Sequence, residues 1–267
     1  MIKKVFGFVL MISVLIVTSA CGGSNNVYTY MIDESFDEFI IMGTSADYAP
    51  YEYPKKVNGK QTLVGIDIEI AKVIAKSLGK NLKIINKGFD FLLDDLDSGK
   101  LDFVLAGLTP TDKRKEQVDF SMIYYEATQV ILTQTKNASK YLTIDDLNQK
   151  NVRIGAQIGS IQQNLAESIF TDAQKQYIQS VPDLVLRLSN NQINGVILER
   201  PVAEGYVKNI QGLFILDIEI GDKDGGAAVA VKKGNQSLLE GINQVLEQLI
   251  NSGEMTEIIK TQIELNG

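Results

Sequence analysis

Apolar residues recur along the chain in two alternating spacings. Short runs typical of buried strands alternate with stretches whose apolar positions recur every three to four residues, as in amphipathic helices. The predicted strands are Ile40–Met42, Leu82–Ile85, Phe103–Ala106, Val152–Ala156, Val196–Leu198 and Ala227–Val231, and the predicted helices are Asp67–Leu78, Leu92–Leu96, Ile161–Phe170, Asp183–Ser189 and Ser237–Asn251. This alternation predicts an α/β fold with mainly parallel sheets covered by helices on both faces.

The pattern restarts after Asn137, which predicts two lobes. At 267 residues, a single core is close to its upper size limit. Two extended stretches without helical spacing, 126–134 and 217–226, are interpreted as crossings between the lobes. The glycines at 221, 225 and 226 would ease a hinge motion there. Lobe 1 is then expected to comprise residues 36–127 and 225–267, and lobe 2 residues 128–224.

The N-terminus has the pattern of an export signal over residues 1–20. Lys3 and Lys4 precede an apolar stretch, Val5–Val17, and small residues lead to Cys21. The segment resembles the bacterial lipoprotein signal, in which Cys21 would carry the lipid, although Thr18 replaces the usual aliphatic residue. Residues 21–35 would form a lipidated tether that holds the protein on the extracytoplasmic face of the cell membrane. A plain secretory signal and a short membrane anchor remain the alternatives.

Composition excludes several classes of function. The net charge of −7 is unsuited to nucleic-acid binding, which needs clustered Lys and Arg. The chain has no histidine, so catalysis or metal binding through histidine is excluded. Its one cysteine, Cys21, cannot form an internal disulfide. No cofactor-binding loop is recognisable, and no cofactor is expected.

The segment Ala106–Arg114 has the pattern of an anion-binding site. It follows a predicted strand and opens a predicted helix, with Thr109 suited to the N-cap and Pro110 to the first helical position. A helix start favours an anion, and Arg114 about one turn later can bind a carboxylate through two hydrogen bonds. A capped surface helix with a solvated arginine is the alternative from spacing alone.

Several motifs in order resemble one family, the bacterial extracellular solute-binding proteins of family 3, which bind polar amino acids. The matching stretches are Gly43–Thr44, Tyr48–Glu52, Gly65–Glu69, Ala106–Arg114 with Val118–Ser121, Gln157–Gln162 and Val229–Gly234. The resemblance covers about residues 38–265. It implies a two-lobed periplasmic-binding-protein fold (type II) with mixed, mostly parallel sheets joined by two hinge strands.

The resemblance also implies roles for individual residues. Arg114 would bind the ligand α-carboxylate, and the α-ammonium would meet the Gly107 carbonyl and a second-lobe carboxylate. The family usually has Asp in that last position, and Glu199 stands there in this chain. The further residues implied in the carboxylate site are Ala106, Thr109, Ser160, Ile161 and Gln162.

The resemblance places Tyr48, Tyr51 and Phe89 around the ligand side chain. Aromatic faces can hold an aliphatic stem or a cation. Ser45 stands where family members that bind cations commonly have Asp, although Asp47 and Glu52 are close, and Gln157 could bond a polar side chain. The ligand therefore stays open between a basic amino acid and a neutral one such as glutamine.

The family implies that the protein acts as a monomer and delivers its ligand to the permease of an ABC importer. An enzyme is one alternative, because the fold has dehydratase-type derivatives and a buried Glu199 could act as a general acid. A signalling or adhesion module with the same fold is the other.

Overall fold

The computed structural model describes residues 26–221 and 225–266, arranged as two α/β lobes. The strands are β1 (Val27–Tyr30), β2 (Phe39–Thr44), β3 (Tyr53–Val57), β4 (Lys60–Val64), β5 (Asn81–Asn86), β6 (Phe103–Val104), β7 (Val118–Glu126), β8 (Gln129–Gln134), β9 (Arg153–Gln157), β10 (Gln174–Ile178), β11 (Gly195–Glu199), β12 (Leu213–Ile220) and β13 (Gly226–Lys232). The helices are α1 (Ile66–Ser77), α2 (Leu92–Asp97), α3 (Asp112–Gln117), α4 (Ile144–Leu147), α5 (Ile161–Ile169), α6 (Val181–Ser189), α7 (Arg200–Asn209), α8 (Gln236–Ser252) and α9 (Glu254–Leu265).

Each lobe is built on one sheet. The sheet of lobe 1 has the order β1-β5-β2-β6-β13-β7, and the sheet of lobe 2 has the order β10-β9-β11-β8-β12. Parallel pairing joins β5 to β2 to β6 in lobe 1 and β10 to β9 to β11 in lobe 2. The other pairs in both sheets are antiparallel. The sheets are therefore more evenly mixed than the alternating pattern predicts, because the strands that enter and leave each lobe pair antiparallel.

The first crossing is shorter than the sequence predicts. Residues 129–134, assigned to a crossing over 126–134, form β8, a buried strand between β11 and β12. The consecutive apolar residues Val130, Ile131 and Leu132 suit a strand that is covered on both faces. The chain thus passes between the lobes within two residues, Ala127 and Thr128. Part of the second predicted crossing, at 222–224, lies outside the described residues.

Amphipathic helices cover the sheets as the apolar spacing predicts. α8 buries Ile242, Val245, Leu246 and Leu249 against lobe 1, while α6 buries one face in lobe 2. α1 begins after Gly65, whose φ of 135° is open to glycine. A Cβ at this position would overlap the Tyr51 carbonyl, so this close approach also requires glycine. The start of α1 is thereby fixed against the segment that contains Tyr48 and Glu52.

The folded part of the chain begins earlier than the sequence predicts. β1 lies within residues 21–35, the stretch assigned to the tether, and pairs antiparallel with β5 at the edge of the lobe 1 sheet. The Tyr30 hydroxyl donates to the Leu63 carbonyl at 2.8 Å, which secures the strand. The predicted signal over residues 1–20 and Cys21 lie outside the described residues. Within 26–221 and 225–266, no helix combines the length and apolar character needed to cross a bilayer.

Candidate ligand-binding cleft

A small, largely enclosed cavity lies between the two lobes. Both lobes supply its lining, and most of the lining residues are polar or aromatic. They are Ser45, Tyr48, Glu52, Phe89, Ala106, Gly107, Thr109 and Arg114 from lobe 1, and Gln157, Ser160, Ile161 and Gln162 from lobe 2. The structure thus brings together all but two of the residues that the sequence singled out; Tyr51 and Glu199 lie just outside the lining.

Arg114 presents its guanidinium to the cavity from the start of α3. Its Nη1 donates to the Thr109 carbonyl at 2.8 Å and its Nη2 to the Gly159 carbonyl of lobe 2 at 3.1 Å. The group also lies 5.3 Å from the centre of the Phe89 ring. Burial lowers the pKa of Arg114 to about 10, so the side chain stays positively charged at neutral pH. These contacts fix its orientation, and a guanidinium has five N–H donors, so further donors remain for an anion.

The helix after the Arg114 loop starts two residues later than the sequence predicts. The N-cap is Thr111, whose Oγ1 accepts from the Arg114 N–H at 3.3 Å, and α3 begins at Asp112. Thr109 and Pro110 are therefore not the cap and first residue of the helix. Both precede the cap in the loop, and Thr109 faces the cavity instead.

The lobe 2 side of the cavity is the start of α5. Ser160 caps this helix, because its Oγ accepts from the Gln163 N–H at 3.1 Å, and the same Oγ donates to the Gln157 carbonyl at 2.7 Å. The nine-residue helix directs the positive end of its dipole towards Arg114 and the cavity. The combination of a helix start and a guanidinium suits an anionic group such as a carboxylate.

Tyr48 forms one aromatic wall and joins the lobes. Its Oη accepts from the Glu199 N–H at 3.2 Å and from Gln162 Nε2 at 3.3 Å, both in lobe 2. Tyr51 stacks behind Tyr48, with ring centres 5.7 Å apart, and is completely buried. Tyr51 therefore supports the wall from the core and does not itself line the cavity, whereas Phe89 does.

Glu52 is a lining residue whose side-chain oxygens are left without hydrogen-bond partners in the described part of the chain. Its side chain is completely buried, and neither carboxyl oxygen has a hydrogen-bond partner among the described residues. Burial, reinforced by the neighbouring Asp67, raises the pKa of Glu52 well above its ordinary value. Asp67 is itself satisfied, since it accepts from the Gly107 N–H at 2.8 Å and from the Tyr124 hydroxyl at 2.6 Å. An unpaired buried carboxyl of this kind is costly unless a cation or donor meets it.

Glu199, at the end of β11, is a second incompletely satisfied carboxyl. It is 2% exposed, and its Oε2 has no partner among the described residues. Burial raises the pKa of Glu199 to about 7, and the Arg114 charge opposes this shift. Its position beside the cavity is compatible with the predicted contact to an ammonium group.

Ser45 and Glu52 line the cavity, although the sequence assigned no site role to either of them. Glu52 ends the matching stretch Tyr48–Glu52, and Ser45 stands where family members that bind cations commonly have Asp. The available signal was Glu52 itself: a carboxylate between Tyr51 and Tyr53 in a segment of low charge. A buried acid is rare without a partner, but its burial becomes visible only in the structure.

The fold and this cavity define a class: two-lobed binding proteins that enclose a small charged ligand between their lobes. The chain belongs to the bacterial extracellular solute-binding proteins, family 3, whose family model matches residues 40–263. The predicted family and the two-lobed fold are confirmed.

Proteins similar to this chain include several that bind arginine. The arginine-binding extracellular protein ArtP of Bacillus subtilis is 35% identical over 247 residues, covering 91% of each chain. The structure of AbpA from Streptococcus pneumoniae, an amino acid ABC transporter substrate-binding protein bound to L-arginine, has a TM-score of 0.82 and 34% identity. That match covers 85% of this chain and 95% of AbpA.

A further similar structure bears on the enzyme alternative. The ancestral amino acid-binding protein AncCDT-1, a precursor of cyclohexadienyl dehydratase, has a TM-score of 0.77 and 28% identity, covering 84% of this chain and 95% of that one. It is itself an amino acid-binding protein. The family is thus one of transport binding proteins, and ArtP, AbpA and AncCDT-1 are binding proteins for amino acids.

Proposed function

We propose that this protein captures a free amino acid with a cationic side chain, arginine foremost, and delivers it to the permease of an ABC importer. The observation that carries the proposal is the buried, unpartnered carboxyl of Glu52 in the same cavity as Arg114. A neutral side chain would leave that carboxyl protonated and uncharged, whereas a guanidinium or ammonium would favour its ionised form and pair with it.

The charges of the cavity match those of a basic amino acid. Arg114 would pair with the ligand α-carboxylate, Glu199 with the α-ammonium and Glu52 with the side-chain cation. Every charged group in the closed cavity would then have an opposite partner, which a buried charge requires. With glutamine, Glu52 would keep its proton and could form only uncharged hydrogen bonds.

The aromatic walls support the same ligand. Tyr48 and Phe89 both line the cavity. Their faces would hold the aliphatic stem of the ligand and attract its cationic end, with each cation–π contact worth about 0.5–2 kcal/mol. Similar proteins that bind arginine, such as ArtP and AbpA, add support from comparison.

The Glu52→Gln variant tests the proposal by calorimetry with arginine, lysine and glutamine. Wild type should prefer arginine, and Glu52→Gln should lose more than about tenfold in arginine affinity while its glutamine affinity changes little. Glu69→Gln is the matched control, since Glu69 lies nearby on α1, is partly exposed and pairs with Lys72. Thermal denaturation verifies that each variant folds. Unchanged arginine affinity in Glu52→Gln, or a wild-type preference for glutamine, would contradict the proposal.

We also propose that the protein binds and releases its ligand without turnover, as a monomer held on the outer face of the membrane through a lipid on Cys21. The export-signal pattern before Cys21 supports the anchor. In the Cys21→Ser variant, the protein should move from the membrane fraction to the medium. Equal incorporation of labelled fatty acid into wild type and Cys21→Ser would exclude a lipid on Cys21.

A further inference from the structure

Asp47 connects the two lobes from a position outside the ligand cavity. We propose that Asp47 is a closing latch: a lobe 1 carboxylate that caps helix α6 of lobe 2 and so prolongs the life of the ligand-bound closed form. The inference relies on the proposed function only in requiring an amino acid that closes the cleft.

The contact is a helix cap supplied in part from the opposite lobe. Asp47 Oδ2 accepts from the N–H of Val181, the first residue of α6, at 3.0 Å. Pro182 has no N–H, and the next donor, the Asp183 N–H, is capped within lobe 2 by Ser180 Oγ at 3.3 Å. The Leu184 N–H bonds to the Ser180 carbonyl at 3.2 Å. In the first turn of α6, the Val181 N–H is therefore the donor whose hydrogen-bond acceptor comes from lobe 1.

A second bond from Asp47 reaches the loop that lines the cavity. Its Oδ1 accepts from Gln157 Nε2 at 3.4 Å and, within lobe 1, from the Ser45 hydroxyl at 3.3 Å. Ser45 and Gln157 line the ligand cavity, whereas Asp47 borders a separate interlobe groove with Pro182 and Tyr206. Asp47 therefore does not line the ligand cavity. It is a positioning residue that acts through Ser45 and Gln157, which do.

This location determines when the contact can form. Val181 and Gln157 belong to lobe 2, so an opened cleft would separate both from Asp47, which would then be solvated. A contact made only after closure slows ligand release and leaves the encounter of ligand and open protein unchanged. The bond is charge-assisted and points along the helix axis, where a carboxylate is favoured.

Stopped-flow binding of arginine to wild type, Asp47→Ala and Asp47→Asn tests the latch. Asp47→Ala should raise the dissociation rate constant about tenfold or more with little change in the association rate constant, because a charge-assisted hydrogen bond is lost from the closed state. Asp47→Asn keeps an acceptor oxygen, so its dissociation rate constant should lie between those of wild type and Asp47→Ala. The control is Asp90→Asn, because Asp90 also crosses the cleft but meets the exposed Gln179 at 3.3 Å; its rates should stay close to wild type.

Other readouts separate a latch from a ligand contact or a purely structural role. The increase in dissociation rate should be the same for every amino acid that closes the cleft, whereas a ligand contact would affect arginine alone. Thermal denaturation of the ligand-free variants should match wild type. Three results for Asp47→Ala would each overturn the latch. They are an unchanged dissociation rate, an effect on arginine alone, and a lower association rate together with lower thermal stability. Wild-type protein that binds glutamine in place of arginine would refute the proposed ligand, and the latch would then be tested with glutamine.

Discussion

Glu199 makes ligand binding a proton-linked reaction. Burial raises the pKa of this carboxyl to about 7 in the closed, ligand-free cleft, so about half of the molecules in that closed form hold the proton at pH 7. A bound α-ammonium favours the ionised carboxylate, because opposite charges in contact lower the pKa of an acid. Binding should therefore expel the proton.

The size of the effect follows from the pKa. Binding at pH 7 should release up to about 0.5 proton from Glu199, and up to about 0.9 proton at pH 6; these upper limits apply to closed ligand-free protein, because opening the cleft solvates the carboxyl and lowers its pKa. The sign is fixed by linkage: ligand affinity is fully developed above the ligand-free pKa of about 7 and weakens as pH falls below it. Below pH 7, the decrease in ligand affinity that is due to Glu199 approaches tenfold per pH unit. It ends near the pKa that Glu199 has in the ligand complex.

Calorimetry in buffers of different ionisation enthalpy measures this release. The slope of the observed binding enthalpy against buffer ionisation enthalpy gives the number of protons exchanged. Because Glu52, Asp47 and Asp67 also have raised pKa values, the informative quantity is the difference between wild type and Glu199→Gln. That difference should be up to about half a proton at pH 7, in proportion to the closed fraction of the ligand-free protein. Equal proton release by the two proteins would refute the placement of Glu199 against the ammonium.

Two further substitutions test the carboxylate site and the fold around it. Arg114→Lys should reduce ligand affinity at least about tenfold, because an ammonium cannot replace the two-pronged guanidinium; calorimetry measures it, and wild-type affinity would contradict the assignment. Gly65→Ala should destabilise the protein by several kcal/mol, because φ is 135° and the new Cβ would overlap the Tyr51 carbonyl. Thermal denaturation of Gly65→Ala against Gly59→Ala is the comparison, since a Cβ at Gly59 meets nothing within 4 Å and any loss there comes from its φ of 78° alone.

The strongly periodic elements could be predicted from the sequence. The predicted helix Ser237–Asn251 differs from the observed α8 by one residue at each end, because its apolar spacing is sustained over four turns. The prediction missed strands whose residues alternate weakly or carry many polar groups, such as β10 and the hairpin of β3 and β4. Their pairing depends on neighbouring strands, which local periodicity cannot show.

The family motifs predicted more of the site residues than the chemical character of individual residues did. Arg114, Gln157 and Gln162 line the cavity as the resemblance implies. The resemblance gives Glu52 no role, and a carboxylate between two tyrosines gives no spacing signal. Only burial and the lack of a partner reveal its position. The interlobe contacts of Asp47 were equally hidden, since they join residues 134 positions apart along the chain.

The edge position of β1 sets a practical limit on where a soluble fragment of this protein can start. A fragment that begins at residue 36 would lack the strand that pairs with β5 and the tyrosine that bonds Leu63. The exposed backbone of β5 could then recruit a strand from another molecule, as open sheet edges tend to do. Ligand-binding measurements should therefore use fragments that retain residue 26 onward, so that self-association does not mimic or mask the motion of the lobes.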